Sequence, residues 1–293
     1  NKRKVIQIAT PKMGEEEWQA LKEPIETGCL TQGPKVAAFE NEFARHHNVK
    51  HALATTNCTT ALHLALLAVG VEAGDAVIVP SFTWVATANA VEYCGATPVF
   101  CDIDPYTYNI NPAAARRKIE EFIKKGLKVK AIIPVHLFGL YADMEAVLEL
   151  AEEYNLKVVE DAACASGASY RGKTAGTLGD VGCFSFHPRK VLVTGEGGMC
   201  TTNDDELALN INCLRNHGAS VSEEQRHHGN APYVLPEFNV LGYNYRMTDL
   251  QGALGLIQLK RLEGFISERD YWARYYDQKL AGLEWLRTPS RPE

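Results

Sequence analysis

The stretch Lys157-Val158-Val159-Glu160-Asp161-Ala162-Ala163 decides the fold. A short apolar string runs into two carboxylates and two alanines, the pattern of a buried strand whose end emerges into a loop. Similar strings recur at 76–80, 97–101, 131–135, 182–186 and 198–202. None alternates polar with apolar residues, which suits central strands covered on both faces. Amphipathic helical patterns lie between them at 59–69, 85–93, 112–125 and 144–154. This alternation predicts an α/β protein with a mainly parallel central sheet. Open sheets of that kind bind ligands at the carboxyl ends of their strands.

Four positions just beyond strands carry groups able to do chemistry. Asp161 follows the 157–160 string; a carboxylate there can bind a metal, act as a base, pair with a cationic ring nitrogen, or cap the next helix. Glu160 should point to the opposite side of the strand. Lys190 follows the 182–186 string, with Ser185 before it and the turn Gly195-Glu196-Gly197-Gly198 after it. Most lysines are solvated surface residues, but one between apolar residues and tight turns is a candidate for the desolvated amine of a Schiff base. The segment Thr55-Thr56-Asn57-Cys58-Thr59-Thr60 opens a helix. Its amides and hydroxyls either cap that helix or hold a phosphate. Trp84 follows the 76–80 string and is either a core residue or a flat cover for a planar ligand.

Taken together, the four match the demands of pyridoxal 5'-phosphate. An amine must engage the aldehyde, a carboxylate must keep the ring nitrogen protonated, donors must hold the phosphate, and a flat group must cover the ring.

Composition narrows the partners. A formal charge of -6 over 293 residues disfavours a nucleic-acid surface. No apolar run is long enough to span a membrane. The basic start Asn1-Lys2-Arg3-Lys4 lacks a signal peptide's apolar stretch. The eight cysteines show no C-x-x-C pair, so reduced, buried thiols in a cytoplasmic protein are expected, without metal.

With these residues in place, the chain resembles the DegT/DnrJ/EryC1/StrS sugar aminotransferases, within the aspartate-aminotransferase-like fold (fold type I). The strings that carry the resemblance run almost end to end: T-G-C-L-T-Q-G-P-K-V (27–36), T-T-A-L-H-L-A-L (59–66), P-S-F-T-W-V-A-T-A-N-A-V (80–91) and G-A-T-P-V-F-C-D-I-D-P (95–105). They continue through E-D-A-A (160–163), S-F-H-P-R-K (185–190), T-G-E-G-G (194–198), L-R-N-H-G (214–218) and G-Y-N-Y-R-M-T-D-L-Q (242–251).

The resemblance implies that Lys190 is the Schiff-base lysine and proton shuttle, that Asp161 pairs with the pyridine nitrogen, and that Trp84 stacks on the ring. Thr59, Ser185 and the backbone at Cys58 would hold the phosphate, and Cys164 would lie near the cofactor's phenolic oxygen. Asn244 would reach the phosphate of a neighbouring subunit, which implies a homodimer with shared sites. The substrates implied are a nucleotide-linked keto-sugar and an amino donor such as glutamate. Two positions depart from the family pattern: Cys58 stands where Gly is usual, and Cys164 where Gln is common. Related sugar dehydratases replace the lysine with His, so retention of Lys190 argues for transamination. A cofactor-binding regulator without turnover is a third reading. Family members also carry a further C-terminal part. Residues 1–260 are therefore expected to form the large domain, with 1–35 as an arm, and 261–293 the start of a truncated small domain. His136, His187, His217 and Glu160 are candidate substrate residues because they sit in or beside these loops. The long loop over 218–238, with Arg226-His227-His228, is a candidate nucleotide or partner contact.

Overall fold

A computed structural model describes residues 7–219 and 236–289. Its centre is a seven-stranded sheet of β1 (His51–Thr55), β2 (Ala76–Pro80), β3 (Thr97–Cys101), β4 (Val129–Ile132), β5 (Lys157–Asp161), β8 (Val181–Ser185) and β9 (Gly198–Thr202). A two-stranded hairpin, β6 (Ser169–Tyr170) and β7 (Lys173–Thr174), lies apart from it. The strand order is β1-β9-β8-β5-β4-β2-β3, and β9 alone runs against the others. The mainly parallel α/β sheet expected from the sequence is thus present, with one antiparallel strand inside it.

Alternate strand residues feed two cores, one on each face. Ala76 and Ile78 join one cluster, while Val77 and Val79 join the other. Period-two packing with apolar residues on both faces is why these strands read as unbroken apolar strings. One core packs against α3 (Pro34–His47), α6 (Pro112–Lys124) and α7 (Met144–Tyr154). The other holds α4 (Cys58–Ala68), α5 (Ala86–Tyr93) and α8 (Asp205–Arg215). α4 is buried nearly all round, from Cys58 through Ala61 to Leu66, which explains its continuous apolar sequence.

Several boundaries differ from the sequence reading. The 131–135 string forms a strand only over Val129–Ile132, after which Val135 makes a single bridge to Asp161. β1 was not expected from His-Ala-Leu-Ala-Thr; its extended form comes from pairing with β9, Leu53 opposite Cys200. α3 begins at Gly33, which has no side chain to cap it. Instead the buried carboxylate of Asp249, on α9 (Asp249–Lys260), accepts from the amides of Gly33, Lys35 and Val36 at 2.9, 3.1 and 2.9 Å. The arm thus carries α1 (Glu15–Ala20) and α2 (Lys22–Thr27) into a helix that is tied to the far end of the sequence.

Beyond α9, α10 (Leu262–Leu280) buries only Leu262 among its residues and exposes Tyr271, Trp272 and Tyr276. No described helix is long and apolar enough to cross a membrane. Of the eight cysteines, all free thiols, Cys58, Cys101, Cys183 and Cys200 are buried, Cys94, Cys164 and Cys213 are half-buried, and Cys29 is exposed. Expecting all of them buried was therefore too broad.

Candidate active site

The carboxyl ends of β1, β2, β5 and β8 open onto one cavity of about 700 Å³. Cys58, Thr59, Trp84, Asp161, Cys164, Ser185, His187 and Lys190 all line it. The sheet produces this convergence, because parallel strands end on the same side and their following loops meet there.

The phosphate-type corner is the start of α4. Asn57 caps the helix, its Oδ1 accepting from Thr60 N at 2.9 Å. The amides of Cys58 and Thr59, in the first turn, have no intrahelical acceptor by geometry. They sit with the hydroxyls of Thr59 and Ser185 in the same cavity, and helix-start amides favour an anion. A close approach of β9 shapes this corner: a Cβ on Gly198 would lie 2.4 Å from the Asn57 carbonyl carbon. That contact explains the last glycine of the turn after Lys190.

Asp161 ends β5 and is 4 % exposed. Its Oδ2 accepts from Thr87 Oγ1 at 2.8 Å and its Oδ1 from Ala163 N at 3.2 Å. Burial pushes the carboxyl's pKa up, against these hydrogen bonds and the charge of Lys190. A cation brought to this carboxylate would offset the burial. Thr87, on α5, was missed by the sequence reading: a threonine in a helix carries no signal until the fold sets it against Asp161.

Lys190 lies in the β8–β9 connection, where its amide donates to His187 O at 2.8 Å in a tight turn. Its Nζ donates to Cys164 Sγ at 3.1 Å. Trp84 is 74 % exposed and walls the cavity with Phe82 and Phe138. It is thus a free flat surface and not a core residue. Phe138 adopts φ 59°, a left-handed conformation rare for a bulky side chain, in the turn over 137–139. A smaller cavity of about 330 Å³ lies across the Lys190 loop, between residues 8–12 and α10.

Four candidates fall outside the main cavity. Glu160 and His136 are fully buried and bonded to each other, His136 Nε2 donating to Glu160 Oε2 at 2.8 Å. Glu160 also accepts from the amides of Gly176, Leu178 and Gly179 at 3.0, 2.7 and 2.6 Å. Burial acts to raise its pKa, but His136 and these amides outweigh burial and hold it below the ordinary value. The pair therefore braces the loop ahead of β8, and its assignment to substrate is corrected. The cause is the one noted for the strand: successive side chains leave on opposite faces, so Asp161 meets the cavity and Glu160 the core. His217 is exposed, at φ 61°, and Asn244 is exposed and bridged to Asn216 through the backbone; neither lines the cavity of its own chain. Arg226, His227 and His228 lie outside the described residues. Among the described residues no group of three or more His, Cys, Asp or Glu side chains is placed to hold a metal ion.

The donor set fits pyridoxal 5'-phosphate. A primary amine, a buried carboxylate, a hydroxyl-flanked helix start and an open indole face one cavity. The chain is 46% identical over 279 residues to the GDP-perosamine synthase of Caulobacter vibrioides, covering 95% of this chain and 71% of that protein. It superposes on the aminotransferase TlmJ from Streptoalloteichus hindustanus with a TM-score of 0.89 at 35% identity, covering 99% of this chain and 75% of the other. A Streptococcus pneumoniae structure in its PLP form matches with a TM-score of 0.84 at 28% identity, covering 94% and 72%. Residues 11–293 match one family along almost the whole chain, and the chain belongs to it: the DegT/DnrJ/EryC1/StrS aminotransferase family.

Proposed function

We propose that this enzyme uses pyridoxal 5'-phosphate to move an amino group from an amino acid, with glutamate as the donor, to the keto carbon of a nucleotide-linked deoxy-sugar. The observation that carries this reading is the meeting of Lys190, Asp161, Trp84 and the start of α4 in one cavity. The sugar acceptor is supported by the GDP-perosamine synthase likeness.

The bound cofactor would supply an aldehyde that condenses with amines and a ring that withdraws electrons. This chain's residues do the rest. Asp161, held by Thr87 and Ala163, keeps a cation beside it and so favours electron withdrawal. Cys58 and Thr59 amides, with the Thr59 and Ser185 hydroxyls, would hold the phosphate, and Trp84 would cover the ring; all four residues line the one cavity. Lys190 would hold the cofactor's aldehyde end, and its Nζ would move a proton at the substrate carbon. Cys164 and His187 border the reacting end, with His187 and the Phe82–Phe138 wall facing the acceptor. Asn244, exposed and outside its own cavity, reaches the phosphate held by a second copy, so the working unit is a homodimer. The free thiols support a reducing, cytoplasmic setting.

The test is incubation with a panel of nucleotide-linked keto-sugars and glutamate, read by mass spectrometry. An amino-sugar together with 2-oxoglutarate, both lost in Lys190→Ala, is the expected result. A deoxygenated sugar without an amine, or full turnover by Lys190→Ala, would overturn the reading.

A further inference from the structure

We propose that Cys164 and Lys190 form a reversible oxidative modification site, in which a peroxide joins the thiol to the amine as a sulfenamide. Nζ and Sγ lie 3.1 Å apart on the wall of one cavity. Their pairing follows from the sheet. β5 and β8 are adjacent parallel strands, with Asp161 opposite Cys183. Cys164 follows the first and Lys190 the second, so both loops leave the same edge of a rigid ladder.

Reactivity also singles out Cys164. It is half-buried and lines a cavity, so a small oxidant can reach its sulfur. Cys58 lines the same cavity but is buried, and burial together with the charge of Asp161 pushes its thiol well up in pKa. Cys183 and Cys200 are fully enclosed. Only Cys164, among the described cysteines, has a lysine amine against its sulfur in the hydrogen bonds of the structure.

The chemistry balances with hydrogen peroxide as the named oxidant. The thiol sulfur attacks one peroxide oxygen, the O–O bond breaks, and sulfenic acid and water form. The lone pair of Lys190 Nζ then attacks that sulfur. An S–N bond forms, the S–O bond breaks, and the leaving hydroxide takes a proton from nitrogen as water. The sulfur ends oxidised by two electrons and the peroxide reduced by two. Excess thiol reverses the step by attacking sulfur, which releases the amine and then the cysteine. While the bond stands, Lys190 cannot engage an aldehyde. This consequence rests on the proposed function; the bond itself does not.

The test treats the protein with hydrogen peroxide in two forms, one loaded with pyridoxal phosphate and one converted to pyridoxamine phosphate by an amine donor or loaded with it directly. Peptides are then mapped by mass spectrometry. In the pyridoxamine form, the peptides bearing Cys164 and Lys190 are expected to appear joined, two hydrogens lighter than their sum. Dithiothreitol should separate them and restore uptake of the aldehyde cofactor. The link should be lost in the pyridoxal form, in Cys164→Ser and in Lys190→Ala, and Cys164 in Lys190→Ala should proceed to sulfinic acid. Oxidation of exposed Cys29 reports that the peroxide acted. In the pyridoxamine form, Cys164 oxidised with an unlinked Lys190, or Cys29 oxidised with Cys164 intact, would overturn the proposal. Direct loading keeps the result independent of amino transfer: a link formed by an enzyme that aminates no sugar would fail the earlier reading alone.

Discussion

Lowering the pH should destabilise this protein through His47, and the size of the effect can be worked from its surroundings. His47 is fully buried at the end of α3, stacked on Phe43 with centroids 3.9 Å apart and meeting Phe184 edge-on at 5.1 Å. Its Nδ1 donates to Phe43 O at 3.1 Å, while Nε2 has no hydrogen-bond partner. Burial, aided by the charge of His46, lowers its pKa from 6.5 to about 3. The folded state therefore binds the proton more weakly than the unfolded state. Stability is fully present above the unfolded value and falls as pH drops from 6.5 towards 3. At about pH 5 the unfolded histidine is almost all protonated and the folded one almost all neutral. The loss relative to neutral pH is then about 2 kcal/mol, at roughly 1.4 kcal/mol per pH unit below the unfolded pKa. Because pH 5 lies above the folded value, the loss depends on the unfolded pKa and hardly on how deep the folded one is. Urea unfolding, followed by far-ultraviolet circular dichroism at equal protein concentration, should be compared between wild type and His47→Gln. Gln can donate to the Phe43 carbonyl but does not titrate. The variant should start less stable at neutral pH, having lost the stack, yet lose about 2 kcal/mol less than wild type on acidification. Parallel losses in the two proteins would refute the argument.

Three further outcomes follow from single substitutions. Glu160→Gln places an amide donor among the donors of His136, Gly176, Leu178 and Gly179, and should cost about 3 kcal/mol of unfolding free energy. Asp249→Ala strips the three amides at the start of α3 of their acceptor; a loss of about 3 kcal/mol is expected, with faster amide exchange at Gly33, Lys35 and Val36. Thr87→Val removes the 2.8 Å donor to Asp161 and should weaken pyridoxal-phosphate binding by about tenfold, measured by absorbance titration, with little change in unfolding of the cofactor-free protein.

The set of residues that meets in the main cavity was largely legible because those residues obey local rules. Asp161 and Ser185 close strands, Trp84 and Lys190 follow them, and Cys58 and Thr59 open a helix, so an α/β pattern alone sends them to one edge of a sheet. Period two likewise sent Glu160 away from Asp161, although adjacency to the site still made Glu160 and His136 candidate substrate residues. Their burial against each other depends on the loop over 176–179 folding back, which no spacing announces.

The sequence by itself thus determined the class of fold, the edge of the sheet where chemistry gathers, and the amine and carboxylate set there, since strand and helix periods act over a few residues. Only the tertiary structure decided that Asp249 caps α3 across 216 positions, that Thr87 fixes Asp161, and that β1 is a strand at all. It also set Cys164 against Lys190. Each of these depends on a backbone or side chain distant in sequence, and the sheet and its packed helices bring those groups within hydrogen-bonding range.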